Sequence, residues 1–268
     1  MKAISSADNA GFKGWLRLAE VPREVREQRR TLAEGIHLAE AIHAAGNPIE
    51  ALLVRRGVDR ADVRQWTETI VAGGVPAYEL APGLFDRLSP VEHGSGMVLV
   101  IPVPEMRRPA NGDALFLDRI QDPGNAGALL RIAAAAGLRS VVSSPGTVGL
   151  WSPKVMRGAQ GAHFRLHLEE DVEAAEVRSV LPVHWIGAAA HSGTLLWAAR
   201  LTMERFGLMV GSEGAGLSGE AMAACDAHVT IPLARGVESL NVAAAAAICL
   251  FERRRQAEAL RGGRVSSA

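Results

Sequence analysis

Apolar residues along this chain fall into short runs separated by polar, glycine-bearing or proline-bearing turns. In the first hundred residues, Thr31-Leu32-Ala33-Glu34-Gly35 and Ile49 to Val54 read as strands, Asp62 to Ala72 as a helix and Met97 to Ile101 as a short apolar strand. The stretch from Pro102 to Gly112 is rich in proline and polar residues and makes the best linker. A second alternation starts at Ala114-Leu115-Phe116-Leu117-Asp118, a strand of the type buried on both faces. Further strands are predicted at Ser140 to Val142, Phe164 to Leu168, Val183 to Gly187, Gly207 to Val210 and His228 to Ile231. Helices are predicted between them, near Ala128 to Ala136, Asp171 to Val180 and Val242 to Leu260. Strands alternating with helices imply an α/β fold whose mostly parallel sheet is covered on both faces. The expected organisation is a small α/β domain over residues 1–103, a linker over 104–112, a parallel-sheet domain over 113–260 and a loose tail over 261–268.

Composition narrows this picture without directing it. Hydrophobic residues make up 48% and charged residues 22%, enough for a packed core rather than disorder. Lys+Arg and Asp+Glu are both 29, so bulk charge selects no partner and a nucleic-acid binder would need local basic patches. Arg23, Arg26 and Arg30 share helical spacing, with Lys13, Arg17 and Arg29 nearby, and Arg55, Arg56, Arg60 and Arg64 form a second cluster. Glu20, Glu24 and Glu27 interleave the first cluster, which is also how a solvated, salt-bridged face looks. Cys225 and Cys249 have no metal-like spacing and fit a reducing compartment. His163 and His167 stand four apart on a strand-like stretch with no third ligand near, so no metal site is predicted. The first residues lack an apolar signal region, and no apolar run approaches the ~20 residues of a membrane span. The expectation is a soluble, cytoplasmic protein with no membrane association.

Three segments carry the chemistry. They are Asn125 to Arg131, Gly211-Ser212-Glu213-Gly214-Ala215-Gly216, and Ile231-Pro232-Leu233 leading to Ser239-Leu240-Asn241 before an alanine-rich helix. Each follows a predicted strand, at the edge where ligands of parallel sheets bind. Gly214 to Gly219 spells G-x-G-x-x-G after an apolar strand, the pattern of a dinucleotide turn. Its position argues against that reading. The fingerprint belongs on the first βα unit of a long domain, whereas about fifty residues remain here, and Glu213 would face a pyrophosphate with the wrong charge.

Together the segments resemble a known family. Asp122-Pro123-Gly124-Asn125-Ala126-Gly127 with Arg131 and Gly137 is similar to the first motif of the SpoU/TrmH RNA ribose 2′-O-methyltransferases. Val210 to Ser218 resembles their second motif, and Ile231-Pro232-Leu233 with Val237 to Val242 their third, in the same order. Ser5-Ser6, Asn9, Lys13, Leu16, Arg26 and Glu34-Gly35 fall, more loosely, where the family's preceding substrate-binding domain has its pattern. Three departures stand out. Ala134 replaces an acidic residue, Ala159 a serine, and Glu92 to Gly96 lacks the usual glutamine-glycine pair.

The resemblance implies a parallel α/β sheet threaded as a trefoil knot, S-adenosylmethionine held in the knot, a homodimer, and an RNA substrate, ribosomal rather than transfer RNA. It implies cofactor contacts at Gly211, Gly216, Ile231, Leu233 and Leu240, and a reacting site built from Asn125, Arg131, Glu213, Ser239 and Asn241. Gly211 and Gly216 would let backbone approach the cofactor, since they lack Cβ. Relatives use the matching arginine at the reacting ribose, sometimes described as a base. Arginine side chains stay charged, so Arg131 is better suited to clamp the adjacent phosphate. Glu213 would order its loop by pairing with Asn125 or Arg131. Ser239 and Asn241 precede a helix, so N-capping and phosphate or cofactor positioning are both open to them. RNA contacts are expected at Lys13, Arg23, Arg26 and Arg30. The rival reading from another class is a non-catalytic RNA-binding protein that kept the fold.

Overall fold

The computed structural model describes residues 1–89, 91, 94–105, 112–190 and 192–265, the last five by backbone alone. Most of the expected linker, and residues 266–268 of the expected tail, lie outside the described residues. In chain order the first elements are β1 (Lys2–Ile4), α1 (Ala10–Glu20), α2 (Pro22–Gln28), β2 (Arg30–Glu34), α3 (Ile36–Ala44), β3 (Ala51–Arg55), α4 (Ala61–Ala72), β4 (Ala77–Leu80), α5 (Pro82–Leu88) and β5 (Met97–Pro102). Then come β6 (Ala114–Asp118), α6 (Pro123–Ala136), β7 (Ser140–Ser143), α7 (Pro153–Ala159), β8 (His167–Glu169), α8 (Val177–Val180), β9 (His184–Ala188), β10 (Thr194–Leu195), β11 (Phe206–Gly211), α9 (Gly219–Ala224), β12 (Ala227–Thr230) and α10 (Val242–Val265). Among the described residues no helix is long and apolar enough to cross a membrane.

The chain divides into two compact units. One comprises Met1–Glu105 with Trp151–Phe164, the other Met106–Leu150 with Arg165–Ala268. The first unit holds a five-stranded mixed sheet in the order β1-β4-β3-β5-β2, in which β5 runs antiparallel to both neighbours. Helix α7 packs on β2 in this unit, anchored by Arg157 to the Glu34 carboxylate at 2.8 Å. Ala159 on that helix is 1% exposed, so its methyl packs where a serine hydroxyl would need a buried partner.

The second unit is built on seven parallel strands in the order β10-β12-β9-β11-β6-β7-β8. All five residues of β6 and all six of β11 are buried, as central parallel strands require. One face packs Phe116, Val142, Trp185 and Met209 against Val172 from the connection after β8 and Val177 and Ala221 from short helices. On the unit's other packed layer α10 lies against α6 and β11.

Local chemistry moved several boundaries. Helix α6 starts five residues before the expected Ala128, because Asp122 caps it, accepting from the Asn125 N–H at 2.7 Å, and Pro123 occupies the first turn. Asn125 therefore sits inside the helix rather than in a loop before it. The expected strand from Phe164 is a 3-10 turn over Ala162–Arg165, and β8 begins only at His167, because Gln160 and Gly161 both take positive φ and turn the chain. The expected helix from Asp171 shrinks to a turn at Ala174–Glu176 and α8. Asp171 takes φ 61° and the Val172 N–H is spent on the Ser143 carbonyl, extending the β7 edge instead. The last helix runs past Leu260 to Val265.

Asp226 ties β9 to β12. Its carboxylate accepts from the Trp185 N–H at 2.8 Å and pairs with Arg178 at 2.7 Å. Burial pushes its pKa up, but Arg178, the Trp185 N–H and His184 outweigh burial and hold it below the ordinary 3.8. A depressed folded value means stability that is present above the unfolded value and lost as pH falls through the folded one. Asp226→Asn should therefore flatten the acid limb of stability below about pH 4. It should also cost about 1 kcal/mol at neutral pH. Denaturant melts across pH check this, and identical slopes would remove Asp226 as a contributor.

Candidate active site

A cavity of about 460 Å³ opens beyond the carboxyl ends of three neighbouring strands, β9, β11 and β12. Its walls come from Ala188 to Ala190, from the loop Gly211 to Leu217, and from Ile231, Leu233 and Leu240. The loop after β11 folds back on itself: the Gly216 N–H donates to the Ser212 carbonyl at 2.9 Å. Gly216 supplies the left-handed turn, with φ +67°. The returning backbone then passes over Gly211 so closely that a Cβ there would lie 2.1 Å from the Gly216 carbonyl. The space that Gly211 leaves is thus filled by the protein's own chain, while Gly211 itself lines the cavity.

A line of polar side chains braces this loop from outside. Asn125 donates through Nδ2 to the Glu213 carboxylate at 2.5 Å and accepts at Oδ1 from Asn241 Nδ2 at 2.9 Å. Asn241 in turn accepts at Oδ1 from the N–H groups of Ala243 and Ala244, at 2.9 and 3.3 Å, and so caps α10. Helix α6, the β11 loop and the start of α10 are joined through two amides. Their donor and acceptor ends face opposite demands, which assigns the orientation of each. Glu213 pairs with Asn125, the first of its two expected partners.

The expected site residues fall into two groups. Gly211, Gly216, Ile231, Leu233, Leu240, Glu213 and Ser239 line the cavity. Asn125 and Asn241 stand behind it as the brace, and Arg131 lies exposed on α6, outside the lining, with no ion pair or hydrogen bond among the described residues. Of the expected surface cations, Lys13 pairs with Asp8, Arg23 with Glu27 and Arg30 with Glu50, while Arg26 is exposed on α2. Arg55, Arg56, Arg60 and Arg64 are each paired as well. The first unit's basic clusters are therefore salt-bridged faces.

Sequence reasoning missed Asp118. It closes β6 almost fully buried, accepting at Oδ2 from the Ser218 N–H at 2.6 Å and at Oδ1 from the Ser144 hydroxyl at 3.3 Å. It thereby pins the far end of the β11 loop, where Ser218 caps α9. A carboxylate ending an all-apolar strand was the available signal. The two cysteines are removed as nucleophiles, since burial pushes both thiols up to about 12, helped at Cys225 by Asp226.

Gly211→Ala is expected to push the Gly216–Leu217 backbone out of place, destabilising the fold by roughly 1–3 kcal/mol. It should also abolish S-adenosylmethionine binding in calorimetric titration. A variant as stable as wild type that still binds would show that the loop does not depend on this contact.

With this geometry in view, comparisons with known proteins place the chain. The model of the SpoU rRNA Methylase family matches residues 114–251. The 23S rRNA (guanosine(2553)-2′-O)-methyltransferase RlmP of Bacillus subtilis is 32% identical over 259 residues, covering 95% of this chain and all of that protein. A solved RNA 2′-O ribose methyltransferase is similar at 30% identity with a TM-score of 0.79, over 95% of this chain and 98% of its own. The SpoU methyltransferase AviRb from Streptomyces viridochromogenes, solved in complex with the cofactor AdoMet, superposes at a TM-score of 0.81 and 26% identity, over 92% and 98%. The strand-end cavity, its glycine loop and its amide brace are those of a chain that belongs to the SpoU rRNA methylase family.

Proposed function

We propose that this protein is an S-adenosylmethionine-dependent methyltransferase acting on a ribose 2′-hydroxyl of ribosomal RNA. The observation that carries the reading is the convergence of all three motif segments on one strand-end cavity and its brace. RlmP bears a 23S rRNA 2′-O-methyltransferase name, and AviRb holds AdoMet, which favours ribosomal over transfer RNA and supports this cofactor.

The residues present fit the cofactor. Val210, Leu217, Met222 and Leu240 give an apolar wall for an adenine, while strand-end backbone offers donors and acceptors for its edge. Glu213 and Glu238 give the cavity a negative side, which suits a sulfonium and an α-ammonium group. When bound, the cofactor supplies an electrophilic methyl. The chain's task is to hold a ribose oxygen in line with it, so positioning accounts for much of the rate. Arg131, exposed and without a partner among the described residues, is the group to clamp the adjacent phosphate and orient the 2′-hydroxyl. Asn125 and Asn241 hold the loop, and Ser239 and Leu240 close over the cavity from the segment before α10.

We extend the reading to four finer features. The chain would be threaded as a trefoil knot. β12 lies two strands from β11, yet residues 231–241 carry the chain back across the cavity so that α10 packs on β11 and α6. The protein would act as a homodimer, supported by Phe251 and Leu260, which stand 46% and 53% exposed on α10. RNA would be gripped in part by Lys13, Arg23, Arg26 and Arg30. The ion pairs of Lys13, Arg23 and Arg30 are at the surface and screened by water, so exchanging a carboxylate for a phosphate costs little. Such a protein would work in the cytoplasm, where ribosomes are assembled.

Arg131→Ala should lower methyl transfer to a 23S rRNA transcript by at least about a hundredfold. The cofactor dissociation constant should stay within about twofold, because the residue lies outside the cavity lining. Labelled-methyl incorporation and calorimetry measure the two. Wild-type turnover in the variant would refute the clamp.

A further inference from the structure

The carboxyl edge of the parallel sheet carries one strained residue that the proposed reaction does not use. Among the described residues, four that are not glycine take positive φ: Arg29, Arg119, Gln160 and Asp171. Arg29 and Gln160 terminate α2 and α7, where left-handed caps are ordinary. Asp171 belongs to a residue type that tolerates this region. Arg119 has neither reason. It stands at φ 56° directly after β6, a position that local preference would give to glycine or asparagine.

Among the described residues Arg119 makes one loose ion pair through its guanidinium and no hydrogen bond there. Its backbone N–H donates to the Ser144 hydroxyl at 2.9 Å, which secures the turn whatever side chain follows. Its Nε stands 3.6 Å from Asp118, beyond hydrogen-bond length, and both Asp118 oxygens already have donors in Ser218 and Ser144. The side chain runs past Gly146 in the loop after β7 and remains 55% exposed. Strand β6 is the immediate neighbour of β11, with Asp118 in register with Gly211, so the backbone of Arg119 lies next to the strand end that opens into the cavity while its side chain lies on the β7 side.

We propose that Arg119 is a phosphate-binding residue of the RNA substrate site, held in a strained turn at the end of β6 with its guanidinium exposed beside the loop after β7, at the flank of the cavity's strand edge. This rests on the RNA-methyltransferase reading above. Strained backbone at a ligand edge is where function overrides local preference. A guanidinium with open donors beside a substrate polyanion is matched to two phosphate oxygens at once.

Three variants separate this from a structural role: Arg119→Gly, Arg119→Ala and Arg119→Lys, each titrated with an in vitro transcribed 23S rRNA over a range of salt. Arg119→Gly should melt at a higher temperature than wild type, because the strain is relieved, and yet bind the transcript about three- to tenfold more weakly. Its slope of log affinity against log salt should fall by about one. Arg119→Ala should show the same loss without the gain in melting temperature, and Arg119→Lys should recover part of the affinity. Cofactor affinity should be unchanged in all three. Transcript affinity and salt slope equal to wild type in Arg119→Gly, or a lower melting temperature with RNA binding intact, would overturn the assignment. Wild-type protein that neither binds nor methylates the transcript would overturn the proposed function, and this inference with it.

Discussion

The cavity exists because two stretches of backbone touch where a side chain would ordinarily keep them apart. Gly211 ends β11, and the Gly216–Leu217 peptide comes back to within contact of its α-carbon. Any Cβ at 211 would force that peptide outward, and the loop could no longer present Leu217 to the cavity or hand the Ser218 N–H to Asp118. The left-handed turn at Gly216 and the Asp118 carboxylate are consequences of the same close return. Two glycines do different jobs in one loop: the first makes room and the second makes the bend.

Around that loop the charges are sorted. Carboxylates at Glu213 and Glu238 face the cavity, and Glu213 is kept in place by an amide rather than a cation. An arginine in the place of Asn125 would neutralise the wall that suits a sulfonium. The amide positions the carboxylate and leaves its charge intact. Two exposed cations stand outside the lining: Arg131, with no partner among the described residues, and Arg119, held only by a 3.6 Å ion pair to Asp118. A site that must hold a cationic cofactor beside an anionic substrate is solved by this separation, with neutral amides at the seam.

Much of this was legible in the chain. Alternating apolar runs gave β6 to its exact ends in Ala114 and Asp118, and the three polar segments could be ordered into one site before any coordinates. The parallel sheet followed from alternation alone. Other features were hidden for physical reasons. The alternation at Phe164 looked like a strand because period two does not reveal the positive φ of Gln160 and Gly161 that turns the chain first. Helix α6 looked short because proline and glycine at its start read as a loop, whereas Asp122 makes them a capped first turn. The salt-bridged reading of the basic cluster near α2 was legible from its interleaved glutamates, but partners such as Glu50 of Arg30 and Asp86 of Arg55 are distant in sequence and were not. Arg119 gave no signal at all, since backbone φ is invisible in a string of letters.

Strand order explains why so few residues carry the site. β9, β11 and β12 are consecutive neighbours in the sheet, although α9 and long connections separate them along the chain. Their carboxyl ends therefore open side by side, and each contributes one short loop to a single cavity. β6 lies on the other side of β11, which puts Asp118 and the start of α6 against the same loop from behind. The cofactor wall and the substrate edge are thus two sides of one strand end. A shift at Gly211 cannot disturb the first without moving Glu213, Asn125 and Asn241 together. That coupling is why the motif residues include amides that touch no cavity wall: they transmit the position of the loop to the helix that carries Arg131.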